Sequence, residues 1–436
     1  MDNTTANRIL SMKFTPKINK LFFWYAFFMA FPNVVLVQNI SVFFFLFIVY
    51  RLIRSGYGIL NFKTYIQKFA LIFAIGALAS TIGSYSVGGA EQLSRSLIVL
   101  PNYIYWAALI VFLIRFRNKL DFKIIFSGIT YGLILSIIFF FFIKQVPIHK
   151  YFPVLKGMSQ NSFAFLLICF TPIAVYYIKK TYSNLWTLFF IFIVVIVSFI
   201  SGSRSGSVLV FVGSFLTYFL SGQFRIKNII LTAFAGLILF AFIVSDIGKS
   251  VVYSLNPETY DLIYSTQETF ETDLSYLTRV ILVEKGLYLF FQNPLTGIGL
   301  NSFASTYGEI SGNFEGAEFA VNKGFEVGYS AHNSYLSILT EGGLLLIIPF
   351  VLILLTLILH FILNVGKMPA FYRPVFIGVI TMSVHLYFIS AILNVYAWFL
   401  LALAAALTYR EKEKNIKRHL KQLDKQKNTI REESKN

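Results

Sequence analysis

The stretch NLWTLFFIFIVVIVSFI, residues 184–200, contains no charged side chain and is long enough to cross the core of a bilayer as a helix. The polar turn SGSRSG, residues 201–206, follows it, and a second apolar run continues to about residue 221. Two apolar helices joined by a tight polar turn form a unit that keeps every backbone polar group paired inside lipid. This stretch therefore predicts an all-α, polytopic integral membrane protein.

The composition of the whole chain agrees with this unit. Its 436 residues are 57% hydrophobic and 13% charged, whereas a soluble chain is about 45–50% apolar and about 25% charged. We predict about twelve transmembrane helices. They cover 21–37, 39–53, 69–87, 96–114, 124–143, 161–178, 184–200, 206–221, 228–245, 342–363, 374–390 and 391–409.

The charge distribution predicts the orientation of these helices. The chain has 37 Lys and Arg against 20 Asp and Glu, a net charge of +17. With both termini in the cytoplasm, most of the basic residues fall in cytoplasmic segments, as the positive-inside rule requires. The excess of basic residues is then explained by the membrane topology. We expect no nucleic-acid partner, because proteins that bind nucleic acid carry their charge on a water-exposed face.

This topology divides the chain into four parts. Residues 1–246 hold helices one to nine, 247–333 form one large extracytoplasmic loop, 334–409 hold helices ten to twelve, and 410–436 form a basic cytoplasmic tail. A loop as long as 247–333 is uncommon unless it is functional. Within it, 276–292 has helical apolar spacing, which Asn293-Pro294 ends.

Two arginines are candidates for binding an anion on the outer face. Arg204 lies in the SGSRSG turn, where small hydroxyl and glycine residues around a guanidinium suit a phosphate. A lipid-interface anchor is the structural alternative. Arg279 opens the helical segment of an acidic loop, so an ordinary salt bridge is its alternative. Arg95 and Asn161 begin the fourth and sixth helices, also at the outer surface.

Histidine and carboxylate residues supply the other candidates. His332 faces outward among small and polar residues that allow close approach of a substrate, with a helix cap or surface residue as its alternative. His385, inside the eleventh helix, is either a satisfied bundle histidine or a pathway residue. Glu271 and Asp273 form a faint metal-binding pair in an acidic loop, and we expect no metal and no cofactor.

Four short motifs give the chain a family resemblance. They are Gln160-Asn161-Ser162-Phe163-Ala164, Ser203-Arg204-Ser205-Gly206, Gly297-Ile298-Gly299-Leu300-Asn301-Ser302-Phe303, and His332-Asn333-Ser334-Tyr335-Leu336 with Glu341-Gly342 after it. In these motifs and their spacing, over about 155–345, the chain resembles the O-antigen ligase and polymerase superfamily of bacterial surface-polysaccharide assembly.

The resemblance implies a glycosyltransferase of the bacterial cytoplasmic (inner) membrane with its active site facing the periplasm or exterior. Such enzymes move glycan from an undecaprenyl-diphosphate carrier to a sugar hydroxyl, either on a second glycan or on lipid A-core. It implies His332 as the catalytic base and Arg204 and Arg279 as the diphosphate-binding residues. The remaining substrate-binding positions would be Arg95, Asn161, Asn333 and Ser203.

Several functions remain open on the sequence. The acidic outer loop would repel the phosphate-rich core that a ligase accepts, which favours an O-antigen or capsule-type polymerase over a ligase. A flippase for lipid-linked oligosaccharide would place charges at mid-membrane depth, where the predicted helices have almost none. A non-catalytic scaffold would leave the arginines and His332 without a purpose. Membrane lipids and a chain-length regulator are the remaining expected partners.

Overall fold

In the computed structural model, the described residues are 14, 16–31, 35–54, 63–145, 160–201, 203–221, 245–255, 274–308, 324, 326–391, 394–411 and 413. Every regular element among them is an α-helix, which confirms the all-α prediction for this part of the chain. The predicted ninth helix (apart from residue 245), the pair Glu271 and Asp273, and most of the tail 410–436 lie outside the described residues.

The twelve described helices follow one another along the chain. They are α1 (Pro16–Ala30), α2 (Val35–Arg54), α3 (Tyr65–Phe116), α4 (Phe122–Gln145), α5 (Gln160–Thr181), α6 (Asn184–Ile200), α7 (Arg204–Leu220), α8 (Asp246–Leu255), α9 (Leu274–Gln292), α10 (Ser334–Asn364), α11 (Arg373–His385) and α12 (395–411). Helix α9 matches the helix predicted at 276–292.

Four of these helices are long and apolar enough to cross a membrane, judged by length and composition. They contain the ranges Tyr65–Phe116, Phe122–Phe140, Asn161–Thr181 and Ser334–Asn364. Helices α6 and α7 are apolar but shorter. The total of about twelve membrane helices and the orientation stay predictions.

Helix α3 is a hairpin of the two helices predicted at 69–87 and 96–114. It is interrupted at Gly88 and Gly89, whose backbone angles are not helical. Beyond this point the chain returns along itself. The Gln67 side-chain amide donates to the carbonyl oxygen of Val111 over 3.3 Å, and the rings of Phe73 and Tyr103 stack 5.7 Å apart. Two antiparallel helices are therefore present in this single 52-residue element.

Helix α10 is also folded back on itself, which the sequence did not predict. The rings of Tyr335 and Phe350 lie 6.0 Å apart, whereas a straight helix would separate these residues by about 22 Å along its axis. The reversal occurs at Gly343, where φ is +61°, a value that glycine adopts without a steric cost. Residues 334–342, expected to lead directly into the tenth span, instead form a short helix against the long one.

A cluster of aromatic rings holds three of the long elements together. Trp398 of α12 stacks on Trp106 of α3 at 4.9 Å, and it also contacts Phe73 of α3 at 4.9 Å and Phe350 of α10 at 5.5 Å. Lipid tails are as apolar as these side chains, so close packing rather than exclusion of water stabilises such contacts in a membrane. The cluster fixes α10, and with it the short helix 334–342, relative to α3.

The two ends of the bundle differ in composition. At one end, Arg117 pairs with Glu413 at 2.9 Å, and Arg373 donates to the carbonyl oxygen of Leu220 over 2.7 Å. The other end carries the first residues of α5, α7 and α10 and the last residues of α6 and α11. The motifs identified in the sequence therefore gather at the end opposite these basic residues.

Candidate active site

The SGSRSG turn ends α6 and begins α7. Ser203 is the buried residue that precedes α7, and its carbonyl oxygen accepts hydrogen bonds from both the backbone N–H and the hydroxyl of Ser207 over 2.9 Å. Arg204 is the first helical residue, at the positive end of the helix dipole. Its side chain lies outside the described part of the structure. The N-terminus of α7, which begins in this turn, is therefore suited to binding an anion.

Contacts with two other helices hold the turn in place. Ser205 Oγ and His385 Nδ1, on α7 and α11, form a hydrogen bond of 3.2 Å. The His385 ring is fully buried and stacks on Phe165 of α5 at 5.8 Å. Gly206 packs against Ala164, also on α5. Of the two interpretations left open for His385, the structure supports a bundle histidine bonded to the motif turn.

His332 and Asn333 form the start of the short helix 334–342. The Asn333 side-chain oxygen accepts from the backbone N–H groups of Tyr335 and Leu336 over 3.0 and 3.2 Å, so Asn333 is the cap of that helix. His332 precedes it with φ +48°, an uncommon left-handed conformation for a non-glycine residue that is frequent at functional sites. Asn333, rather than His332, is therefore the residue that caps this helix.

The structure brings Arg279 into electrostatic reach of His332. Burial lowers the pKa of His332 below its ordinary value, and the positive charge of Arg279 lowers it further. Arg279 is exposed on α9, which packs on the short helix where Leu336 lies over Gly286 and the Thr340 hydroxyl donates to the Gly286 carbonyl oxygen over 3.1 Å. At pH 7 the His332 imidazole is consequently neutral and able to accept a proton.

The pH dependence of activity should report this pair. Because the pKa of His332 is lowered, the wild-type protein should stay active until the pH falls below the ordinary pKa of a histidine. We expect Arg279→Gln to raise the pKa of His332 and move the acid limb of the kcat/KM profile to higher pH. Arg279→Lys, which keeps the charge, should leave the limb in place. An unmoved limb in Arg279→Gln would contradict the pairing.

The glycine-x-glycine turn lies beside the short helix. The backbone N–H groups of Ile298 and Gly299 donate to the carbonyl oxygens of Thr340 and Glu341, each over 3.0 Å. Gly299 has φ +107°, and a Cβ atom there would collide with the side chain of Ser84 on α3. A glycine is therefore required at this position both by its backbone angle and by the close approach of α3.

Comparison with known proteins supports the resemblance seen in the sequence. Residues 188–351 match the family model described as O-antigen ligase. We use the name O-antigen ligase domain for residues 188–351, after the family model that these residues match. No curated protein matches the chain. Together with the apolar helices, the match indicates an integral protein of the bacterial inner membrane with a function of the O-antigen ligase or polymerase type.

The O-antigen ligase domain includes most of the predicted site. Arg204, Arg279 and the motif beginning at His332 lie within the matched residues, whereas Arg95 and Asn161 lie before them. Arg95 forms an exposed ion pair with Glu91 at 2.8 Å. Asn161 is exposed in the first turn of α5, three residues before Ala164. Both predicted substrate contacts therefore stay proposals.

The helix that bears Arg95 also supports the ligase-domain turn. The Gln92 side-chain amide donates to the Ile298 carbonyl oxygen over 2.8 Å, and the Ser96 hydroxyl donates to that of Leu300 over 3.1 Å. These polar residues of α3 were not singled out in the sequence. Their spacing of four residues, which places both on one face of the helix, is the signal that would have identified them.

Glu341 of the O-antigen ligase domain has a structural role that the sequence did not reveal. Its carboxylate is buried and accepts from the backbone N–H of Phe303 over 3.1 Å, and from those of Asn301 and Ser302. These backbone donors offset part of the cost of burying the carboxyl group. Glu341 thus joins the glycine-x-glycine turn to the short helix that begins after His332.

Removing this carboxylate should destabilise the ligase domain. We expect Glu341→Ala to lower the free energy of unfolding by about 2–3 kcal/mol, because buried backbone N–H groups lose a charged acceptor. Glu341→Gln keeps one carbonyl acceptor and should cost about half of that. Thermal unfolding of the detergent-solubilised protein measures the difference. Glu91→Gln, on an exposed carboxylate, is the control and should change stability by less than about 0.5 kcal/mol.

Lys285 is a second residue of the O-antigen ligase domain that the sequence did not single out. It is fully buried on α9, its Nζ lies 4.9 Å from the centre of the Phe303 ring, and it has no hydrogen-bond partner among the described residues. Burial lowers its pKa to about 8, against the opposing charge of Glu326. The charged pair Glu284-Lys285 within the apolar helix predicted at 276–292 was the available signal.

The described part of the ligase domain contains no set of side chains suited to binding a metal ion. Among the described residues, no group of three or more His, Cys, Asp or Glu side chains is close enough together to hold an ion. The cationic side chains that the structure places near the site are those of Arg279, whose charge acts on His332, and Lys285, which lies beside Phe303.

Proposed function

We propose that this protein is a metal-independent glycosyltransferase that moves glycan from an undecaprenyl-diphosphate carrier to a sugar hydroxyl outside the cytoplasmic membrane. The observation that carries the proposal is the convergence of His332, Arg279 and the Arg204 turn at one end of the bundle, within a region that matches an O-antigen ligase domain. A donor held by a lipid also gives a physical reason for a transferase to be embedded in a membrane.

In the proposed reaction, His332 acts as the general base. Its neutral imidazole accepts the proton of the acceptor hydroxyl as that oxygen bonds to the anomeric carbon of the donor sugar. The bond between this carbon and the carrier phosphate breaks at the same centre, and undecaprenyl diphosphate leaves with the electron pair. The products are a longer glycan, a protonated histidine and the free carrier.

The negative charge that develops on the leaving diphosphate needs cationic partners. We assign Arg204 and Arg279 to this role, because a guanidinium presents several donors to phosphate oxygens and needs no metal. The start of α7, where Arg204 lies, adds backbone N–H groups and the positive end of a helix dipole. An activated diphosphate leaving group also makes ATP and other cofactors unnecessary.

The other four site residues have supporting parts in this proposal. Asn333 caps the short helix and so holds the backbone that follows His332, as its two hydrogen bonds indicate. Ser203 is buried without capping its helix, which leaves its hydroxyl for substrate. Arg95 and Asn161 are proposed to contact substrate at the rim of the site, where both are exposed.

We propose a polymerase rather than a ligase. The acidic segment 247–333 would repel the phosphate groups of a lipid A-core acceptor but not an uncharged growing glycan. A ligase that transfers glycan to lipid A-core is the second candidate, because the matched family model bears that description. A chain-length regulator is a further partner that fits a polymerase.

Reconstitution with defined acceptors separates these functions. Purified protein in lipid vesicles is supplied with lipid-linked repeat units alone, and in a second arm with lipid A-core added. We expect extension of the carrier-bound glycan in both arms. Transfer that occurs only with lipid A-core would show a ligase. If full-length, folded protein forms no product in either arm, the proposal of a glycosyltransferase is wrong, and movement of the lipid-linked units across the vesicle membrane would show a flippase.

A further inference from the structure

A segment outside the matched domain contacts both halves of the candidate site. Residues 383–391 end α11 and lead towards α12, beyond the match at residues 188–351. We name this segment the 383–391 bridge. On one side, His385 Nδ1 is bonded to Ser205 Oγ at 3.2 Å, one residue after Arg204. The bridge therefore reaches the turn assigned to the diphosphate.

On its other side, the bridge holds the residue that follows Asn333. The backbone N–H of Ser334 donates to the Leu386 carbonyl oxygen over 2.8 Å. The Ser334 hydroxyl donates to the Ile389 carbonyl oxygen over 2.6 Å and accepts from the backbone N–H of Ala391 over 2.9 Å. Both hydrogen-bonding groups of a fully buried serine are thus satisfied by one short segment.

A further bond extends this contact along the short helix. The Tyr335 hydroxyl donates to the Ser383 carbonyl oxygen over 2.8 Å, two residues before the end of α11. Four hydrogen bonds thus join the bridge to Ser334 and Tyr335, and one joins it to Ser205. The single bond at Ser205 connects two parts of the chain that are 180 residues apart.

We propose that the 383–391 bridge sets the distance between the two halves of the active site and that His385 is its positioning residue. His385 fixes Ser205 and thereby the backbone of Arg204, while the same segment fixes the helix that begins after His332. The inference rests on the proposed function, because the distance matters only if Arg204 and His332 act on one donor. Misplacing a binding group by about 1 Å is enough to cost a large part of the rate.

Two variants of His385 distinguish this role from simple packing. An asparagine side chain places its amide near the position of the histidine Nδ1 atom, whereas glutamine extends towards the position of Nε2. His385→Asn should therefore keep the bond to Ser205, and His385→Gln should lose it. Ser205→Ala removes the same bond from the other partner. Ser214→Ala is the matched control, since this buried serine of α7 donates only within its own helix, to the Val210 carbonyl oxygen.

The first measurement needs no substrate. Amide hydrogen exchange is followed at 203–207 in the full-length protein, where the Ser207 N–H is bonded to the Ser203 carbonyl oxygen. We expect Ser205→Ala and His385→Gln to speed exchange about tenfold, as the loss of one hydrogen bond predicts. His385→Asn and Ser214→Ala should stay within about twofold of wild type. Unchanged exchange in Ser205→Ala, or equal acceleration in Ser214→Ala, overturns the proposal.

The second measurement connects the bridge to activity. With lipid-linked donor, Ser205→Ala and His385→Gln should lower kcat/KM for the donor about tenfold, and His385→Asn should restore it. Unchanged kcat/KM in Ser205→Ala, or a loss in His385→Asn as large as that in His385→Gln, overturns the positioning role. If wild type uses no lipid-linked donor, the proposed function fails, while the exchange result still decides whether the bridge holds the turn. If His385→Gln does not fold, Ser205→Ala decides both measurements.

Discussion

His332→Asn is expected to lower kcat for glycan transfer by about a thousandfold, the largest effect of any single substitution at this site. The physical reason is the loss of the group that we assign to take the acceptor's proton. Asparagine is the informative replacement, because it tolerates the left-handed backbone angle of φ +48° that His332 adopts, whereas alanine adds strain at this position. The measurement is kcat with saturating lipid-linked donor.

Two controls separate loss of the base from loss of the fold. His360→Asn changes a histidine at the opposite end of the bundle, where its Nε2 lies 3.5 Å from Glu411, and should retain kcat within about twofold. Thermal unfolding of His332→Asn should match that of wild type, since Asn333 supplies the helix cap. A His332→Asn protein with full kcat would remove the general base from the mechanism.

Arg204→Gln is expected to lower kcat/KM for the lipid-linked donor by about 10²–10³-fold, the cost of removing one preorganised donor to a developing oxyanion. Arg204→Lys should recover part of this loss, since it keeps the charge but not the paired geometry of a guanidinium. The same variants should weaken product inhibition by undecaprenyl diphosphate. This inhibition measures binding of the leaving group separately from the chemical step.

The control for Arg204 is an arginine at the other end of the bundle. Arg117→Gln breaks the ion pair with Glu413, where no substrate is proposed to bind, and should leave kcat/KM within about twofold of wild type. If Arg204→Gln and Arg117→Gln behave alike, the SGSRSG turn is only a structural connection between α6 and α7.

Much of the helical pattern could be predicted from the sequence, because lipid exposure gives strong and local signals. The boundaries of α6 agree with the predicted span 184–200, and the end of α9 was marked by Asn293-Pro294. The folded-back helix 334–342 could not be predicted in this way. Its reversal depends on one glycine, Gly343, at the start of the predicted tenth helix, and the residues before it were expected only to lead into that helix.

The candidate site was also predictable only in part. Arg204, Arg279 and His332 were recognisable because charged or titratable residues beside apolar spans are few and their motifs are short. The contacts that position them were not, since Ser205 with His385 and Phe303 with Glu341 join residues far apart in the chain. Such pairs depend on how the helices pack, which a single sequence does not state.

The most direct test is the release of undecaprenyl diphosphate from a lipid-linked glycan by the purified protein in the presence of a metal chelator. If arginines act in place of a metal, one carrier molecule is released for each glycosidic bond formed, and the chelator does not slow this release. The His332→Asn protein should release almost no carrier. Complete loss of release that is restored by adding a divalent metal would contradict this mechanism and return attention to Glu271 and Asp273. A folded wild-type protein that releases no carrier at all would contradict the proposed function itself.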